Sequence, residues 1–245
     1  MKLKTAKIID AREMLFTREG VYFDFDGVLV NPTDGIFRDA YYQVLERYGI
    51  RPSVLLPAYG LAAFCRAKNA KGFWPTLVHG LNEANGIGPE DHDEVMEMMI
   101  RFAEPKLRAV RLKPGVAQLL GQLKDNGQQL GLVTQAMEST VEAVASVNPE
   151  IERAFEDRII TGDDLGPKEV AYWNMLYEMG HDATDVAFIE DTKGGARSAR
   201  KAGIPKENGV GVINGGLLKE FVKDCCGLSV MKHTKYHVRS LEELV

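Results

Sequence analysis

The chain is short of cysteine, of basic charge and of long apolar runs, and each shortage excludes something. Its three cysteines are Cys65, Cys225 and Cys226, two of them adjacent and none at metal-ligand spacing. An odd, sparse count in 245 residues fits reduced thiols in a cytoplasmic protein, not a disulfide framework. No stretch approaches the roughly 18 apolar residues that cross a bilayer. Met1 to Phe16 carries Lys2, Lys4 and Lys7, but Asp10, Arg12 and Glu13 interrupt any apolar segment, so no signal peptide is expected. A formal net charge of -5 gives no reason to expect nucleic acid or an anionic membrane as partner. Internal repeats and low-complexity tracts are also missing. With 45% apolar and 27% charged residues, the chain reads as a soluble globular protein, monomer or homodimer, able to bury a sizeable core in one or two domains.

What the sequence does have is the stretch Tyr22-Phe23-Asp24-Phe25-Asp26-Gly27-Val28-Leu29-Val30. Aromatic and β-branched residues open it as a strand. Two carboxylates one residue apart then stand where the strand should end, with glycine next. Side chains alternate along a strand, so Asp24 and Asp26 share a face until Gly27 breaks it. Two acids this close repel, and burial makes leaving them unpaired costly. A bound cation, or a proton held on one of them, resolves the conflict. The plainer account is a pair of solvated acids in an Asp-Gly turn; apolar residues on both sides argue against it. The stretch is expected to be a catalytic centre at the carboxyl end of a central strand, where open α/β sheets place their sites.

Around this centre the pattern changes twice. Residues 1–19 read as a short extension, a strand around Ile8-Ile9 and a turn of helix, with no chemistry. The turn cluster Asn31-Pro32-Thr33-Asp34-Gly35 leads out of the sheet. From Ile36 to about Val110 the spacing is helical: Ile36, Tyr41, Val44, Leu45 and Tyr48 mark one helix, and 54–66, 73–85 and 90–109 read as others. From Leu112 strands and helices alternate. Strands are expected at 129–133, 158–161, 185–189, 210–213 and 236–238, and helices between them. One helix carries Val141, Val144 and Val147 and stops at Asn148-Pro149; another covers about 169–179. The expectation is an α/β fold: a doubly wound parallel sheet built from 1–34 and 112–245, with an all-helical domain inserted at 35–111.

The polar clusters follow the strands: Asp24 and Asp26, Thr134, Lys168 after its loop, then Glu190 and Asp191. Parallel strands bring their carboxyl ends to one edge, so these groups should converge. Carboxylate oxygens without nearby His or Cys suit Mg²⁺. A hydroxyl, an ammonium and backbone N–H groups at helix starts suit a phosphoryl dianion. A carboxylate nucleophile beside both implies an aspartyl-phosphate.

Asp24-Phe25-Asp26-Gly27-Val28-Leu29 resembles the first motif of the haloacid dehalogenase superfamily of phosphohydrolases. Leu130-Gly131-Leu132-Val133-Thr134 resembles the second, Lys168 the third and Phe188-Ile189-Glu190-Asp191-Thr192 the fourth. The likeness extends to Lys113-Pro114-Gly115, Phe155-Glu156-Asp157 and Gly162-Asp163-Asp164. It implies a Rossmann-like core. A helical insertion between the first two motifs is similar to the cap of the subfamily containing phosphoglycolate phosphatases and β-phosphoglucomutase. The resemblance implies Asp24 as nucleophile and Asp26 as general acid and base. It implies Mg²⁺ held by Asp24, the Asp26 carbonyl oxygen and Asp191, with Glu190 as a further ligand, and phosphoryl oxygens bound by Thr134 and Lys168. One departure stands out: relatives usually follow the lysine with Pro-x-Pro, whereas here Pro167 precedes Lys168 and Glu169-Val170 follow.

The leading expectation is therefore a Mg²⁺-dependent phosphatase of a small organic phosphomonoester. A phosphomutase of the β-phosphoglucomutase type shares every motif residue and differs in what attacks the aspartyl-phosphate. Dehalogenases and phosphonatases usually lack an acid at the position of Asp26, and a purely binding role predicts a broken motif. In the cap, Arg66, Lys68 and Lys71 near Phe73-Trp74 could read an anionic or sugar-like substrate, though a solvated helix face is the simpler account. His79 and His92 are expected at the surface, and Met96, Met98 and Met99 in packing.

Overall fold

The first strand, β1 (Gly20–Phe23), is wholly buried because strands flank it on both sides. It pairs in parallel with β2 (Gln129–Val133), matching Phe23 to Leu132, and with β4 (Val186–Glu190), matching Phe23 to Ile189. With β3 (Ile159–Ile160), β5 (Gly209–Val212) and β6 (Tyr236–Val238) the order is β3-β2-β1-β4-β5-β6, every pair parallel. A parallel sheet must be covered on both faces. Here Phe23, Leu130, Leu132 and Ile189 point into one apolar cluster, and Tyr22, Val133 and Phe188 into another. The computed structural model describes residues 2–51, 73–163, 166–213 and 233–245.

The first face is covered by α1 (Lys2–Phe16), α5 (Val116–Asp125), α6 (Glu138–Ala145) and α7 (Pro149–Phe155), through residues such as Leu15, Leu119, Val144 and Phe155. The second is covered by α8 (Lys168–Met179) and α9 (Lys193–Lys201), through Tyr172, Met175, Ala196 and Ala199. On the outer side of α8, Val170, Trp173 and Tyr177 stand exposed at three- and four-residue spacing.

Between β1 and α5 lie α2 (Asp34–Arg47), α3 (Phe73–Ala84) and α4 (His92–Leu107), with no strand among the described residues. The amphipathic faces of α2 and α4 pack together: Phe37, Tyr41, Val44 and Leu45 on one, Val95, Met99, Ala103 and Leu107 on the other. The chain leaves and re-enters the sheet at one place, where Val30 and Leu112 form an antiparallel bridge. The Lys113 amide donates to the Leu29 carbonyl at 2.8 Å beside it.

Three expectations need correction. The N-terminal extension is a single helix without a strand at Ile8-Ile9; strong helix formers surround those two isoleucines, and Ala11, Met14 and Leu15 anchor it in the core. The helix expected to stop at Asn148-Pro149 already ends at Ala145, and Pro149 instead starts α7, where proline occupies the first turn, a position that needs no N–H. His92 is buried at 5% exposure and its ring packs against that of exposed His79, tilted by 39° with centroids 4.2 Å apart. The three cysteines, Arg66, Lys68, Lys71 and the helix expected at 54–66 lie outside the described residues, as do the helix expected after Ile213 and the side chains of Phe73 and Trp74. Among the described residues no helix is long and apolar enough to cross a membrane.

Candidate active site

Strand alternation decides which acids meet. Asp24 continues β1: its amide donates to the Ile189 carbonyl at 3.0 Å, one step beyond the Phe23–Ile189 pair. It follows Tyr22 on the α8/α9 face, as Glu190 follows Phe188 on the neighbouring strand. Asp24 and Glu190 therefore stand side by side, at 7% and 0% exposure. Two buried carboxylates need a counter-charge, and Lys168, the first residue of α8 and itself buried, supplies it. Its Nζ lies 2.7 Å from Asp24 Oδ1 and 2.7 Å from Glu190 Oε1. Burial alone would drive proton loss from this ammonium, but the charges of Asp24 and Glu190 outweigh it and raise its pKa. Burial pushes the Glu190 carboxyl well above its ordinary value, the charge on Asp24 adds to the push, and Lys168 opposes it. The Tyr172 hydroxyl donates to the same Oε1 at 2.8 Å.

The other oxygen of Glu190, Oε2, is buried without a hydrogen-bond partner. Gly195, near the start of α9, lies against it; a Cβ there would overlap the carboxylate, so the approach requires glycine. One ligand oxygen each from Asp24, Glu190 and half-buried Asp191 falls within 4.8 Å of the others. Three clustered carboxylates, two of them buried and one with an unbonded oxygen, fit a hard divalent cation.

Asp26 stands apart from this trio. Gly27, at φ +75°, turns the chain back so that the Gly27 amide reaches the Val30 carbonyl at 2.9 Å. The Asp26 carboxylate then accepts from the Thr33 amide at 2.8 Å and from Thr33 Oγ1 at 3.3 Å. Its pKa is raised to about 7, by burial first and then by the charge on Asp34; Thr33 opposes the shift and Asp24 adds to it. The Asp34 carboxyl is raised too, by desolvation and by Asp24. Thr134 lies past the end of β2, on the same sheet edge, buried at 3% exposure. Its Oγ1 accepts the Ala136 amide at 3.0 Å, and it is not the cap of α6, whose N-cap is Met137. Half-buried Lys113 reaches from the second crossover to the Gly27 carbonyl. Burial lowers its pKa and Asp191 opposes the shift. A cavity of about 650 Å³ opens beside it, lined by Pro32, Ile36, Arg111 and Leu112 among others but by none of the clustered acids.

The structure thus brings together Asp24, Lys168, Glu190 and Asp191, holds the Asp26 side chain on Thr33, and leaves Thr134 on the same edge with a local bond. Reading the sequence missed Tyr172, Thr33 and Asp34. The one sequence signal for Tyr172 is that it falls one helical turn after Lys168.

A family model described as haloacid dehalogenase-like hydrolase matches residues 19–203. The chain is 31% identical over 116 residues to a CBBY-like protein of Arabidopsis thaliana, 46% of this chain and 36% of that protein. It is 28% identical over 208 residues to a phosphorylated carbohydrates phosphatase of Thermotoga maritima, 78% of this chain and 85% of the relative. The crystal structure of CbbY from Rhodobacter sphaeroides in complex with phosphate superposes at TM-score 0.71 with 19% identity, covering 93% of this chain and 96% of that one. That likeness is one of fold. The first of these relatives is far longer than the matched segment, while the family model covers most of the present chain. The chain belongs to the haloacid dehalogenase-like hydrolases.

Proposed function

We propose that the chain is a Mg²⁺-dependent phosphatase that hydrolyses a small organic phosphomonoester through an aspartyl-phosphate on Asp24. The observation that carries this reading is the position of Asp24: one oxygen is held by Lys168, and the carboxylate borders the oxygen cluster with Glu190 and Asp191. Asp24, Glu190, Asp191 and the Asp26 carbonyl oxygen would hold the ion, which supplies charge neutralisation when bound.

Asp24 attacks phosphorus as the bond to the leaving oxygen breaks, and Asp26 gives that oxygen its proton. The resulting Asp26 carboxylate takes a proton from the water that then attacks the aspartyl-phosphate, releasing phosphate and restoring Asp24. A pKa near 7 suits a group that must both give and take a proton near neutrality. Lysine has three N–H donors; two are used on Asp24 and Glu190, which leaves one for a phosphoryl oxygen. Thr134 would supply a second donor. The helical segment 35–111 would act as a cap over the core formed by 1–34 and 112–245. Meeting of both crossovers at the Val30–Leu112 bridge supports that division. The named activity of the Thermotoga maritima relative favours sugar phosphates as the class to try first.

The test is phosphate release from a panel of sugar phosphates, phosphoglycolate and nucleotides, with Mg²⁺ and with chelator, each with and without a sugar bisphosphate. Metal-dependent release supports the proposal. Isomerisation without net release, once bisphosphate is added, would make the protein a mutase. Silence in both arms would sink both readings.

A further inference from the structure

Tyr172 has no part in the proposed reaction, yet it is fully buried and bonded directly into the acid cluster. It stands four residues after Lys168 on α8, so the two side chains project from the same helix face one turn apart. Both converge on a single atom, Glu190 Oε1, at 2.7 Å from the lysine and 2.8 Å from the tyrosine. A carboxylate with two donors on one oxygen is fixed in rotation, and its other oxygen is fixed with it. That other oxygen, Oε2, is buried without a hydrogen-bond partner, and the Glu190 carboxylate offers one oxygen to the cluster with Asp24 and Asp191. The Tyr172 ring is itself held by the Tyr22 ring, centroids 6.5 Å apart. The arrangement belongs to this chain's departure from the Pro-x-Pro pattern, since α8 begins at Lys168 itself, directly after Pro167.

We infer that Tyr172 is a positioning residue for the cation site: by binding Glu190 Oε1 it presents Oε2 as a ligand to Mg²⁺. The inference rests on the Mg²⁺ site proposed above and adds to it a residue outside the motifs. Groups that orient a metal ligand typically contribute about 10–100-fold in affinity. Losing the hydroxyl alone removes one of two tethers, so the lower end is expected.

The experiment is titration calorimetry of Mg²⁺, without substrate, into the wild-type chain, Tyr172→Phe and the control Tyr177→Phe. Tyr177 lies on the exposed side of the same helix. Phenylalanine keeps the ring contact with Tyr22, and thermal melting of the metal-free proteins checks that all three fold. Tyr172→Phe should bind Mg²⁺ about tenfold more weakly, Tyr177→Phe as the wild type does, and the substrate KM of Tyr172→Phe at saturating Mg²⁺ should be unchanged. Equal Mg²⁺ affinity in all three, or equal loss in both variants, overturns the role of Tyr172 and leaves the proposed reaction standing. A wild-type chain that binds no Mg²⁺ overturns the metal site itself. Should Tyr172→Phe not fold, Glu190→Gln replaces it: the inference then requires weaker Mg²⁺ binding, and wild-type affinity overturns it.

Discussion

The face of the sheet under α8 holds two buried polar clusters, one at each end of β1, and they solve the same problem in opposite ways. At the amino end the Tyr22 hydroxyl and His181 Nδ1 lie 2.9 Å apart, with His181 packed against Gly20. Burial pushes the tyrosine up and the histidine down, and both shifts favour the uncharged forms. At the carboxyl end Asp24, Lys168 and Glu190 are as deeply buried but joined by ion pairs. Keeping charge away from water costs several kcal/mol per ion before pairing offsets it. The fold meets that cost at the carboxyl ends of the strands and avoids it at the other end. The contrast locates function more sharply than burial does, because burial is the same in both.

The contrast breaks if charge proves dispensable at the carboxyl end. Asp24→Asn should lower turnover by about 10³-fold or more while the melting temperature stays within a few degrees of wild type; unchanged turnover would remove Asp24 from the reaction. Lys168→Met should leave two buried acids uncompensated and destabilise the chain by about 3–5 kcal/mol in urea unfolding, with activity lost as well. If stability is unaffected, the ion pairs do not matter as described. The protonation of Asp26 sharpens the comparison further. Its folded pKa is raised to about 7, so the form able to give a proton is depleted above that pH. With an alkyl leaving group kcat should fall about tenfold per pH unit above neutrality, and far less with a nitrophenyl leaving group that needs no proton. Equal profiles for the two substrates would exclude Asp26 as the acid. The smallest effect belongs to the neutral end: Tyr22→Phe should cost about 1 kcal/mol of stability and leave kcat and KM untouched. A change in either constant would show that the two clusters communicate through α8.

Much of the site could be read from the chain because strand alternation, turn residues and acidic strand ends are local signals. Asp24 and Asp191 each follow a short apolar strand and Glu190 ends one, and the parallel order brings them together. Lys168 is readable as chemistry, but its partners are not, since the contact with Asp24 joins residues 144 positions apart (168 − 24). Tyr172 hid among apolar helix residues whose burial it shares; only its hydroxyl's destination separates it from packing. Pro149 reads as a stop and is instead a start, which composition cannot distinguish. The N-terminal helix is hard to read because its docking against β6 and the C-terminal turn Leu241–Leu244 comes from the far end of the sequence. His92 likewise depends on where α3 lies.

The bridge between Val30 and Leu112 has a consequence for how such a chain can change over time. Both ends of the helical segment are pinned at one point by the sheet, so the entropy of closing that loop is met there whatever lies between. Doubling the length of a flexible loop adds only about 0.6 kcal/mol. Residues can be gained, lost or exchanged between the two pinned positions with little penalty to the sheet. The helical segment is thus free to change on one side of the bridge while the acids on the other side stay where the strands put them.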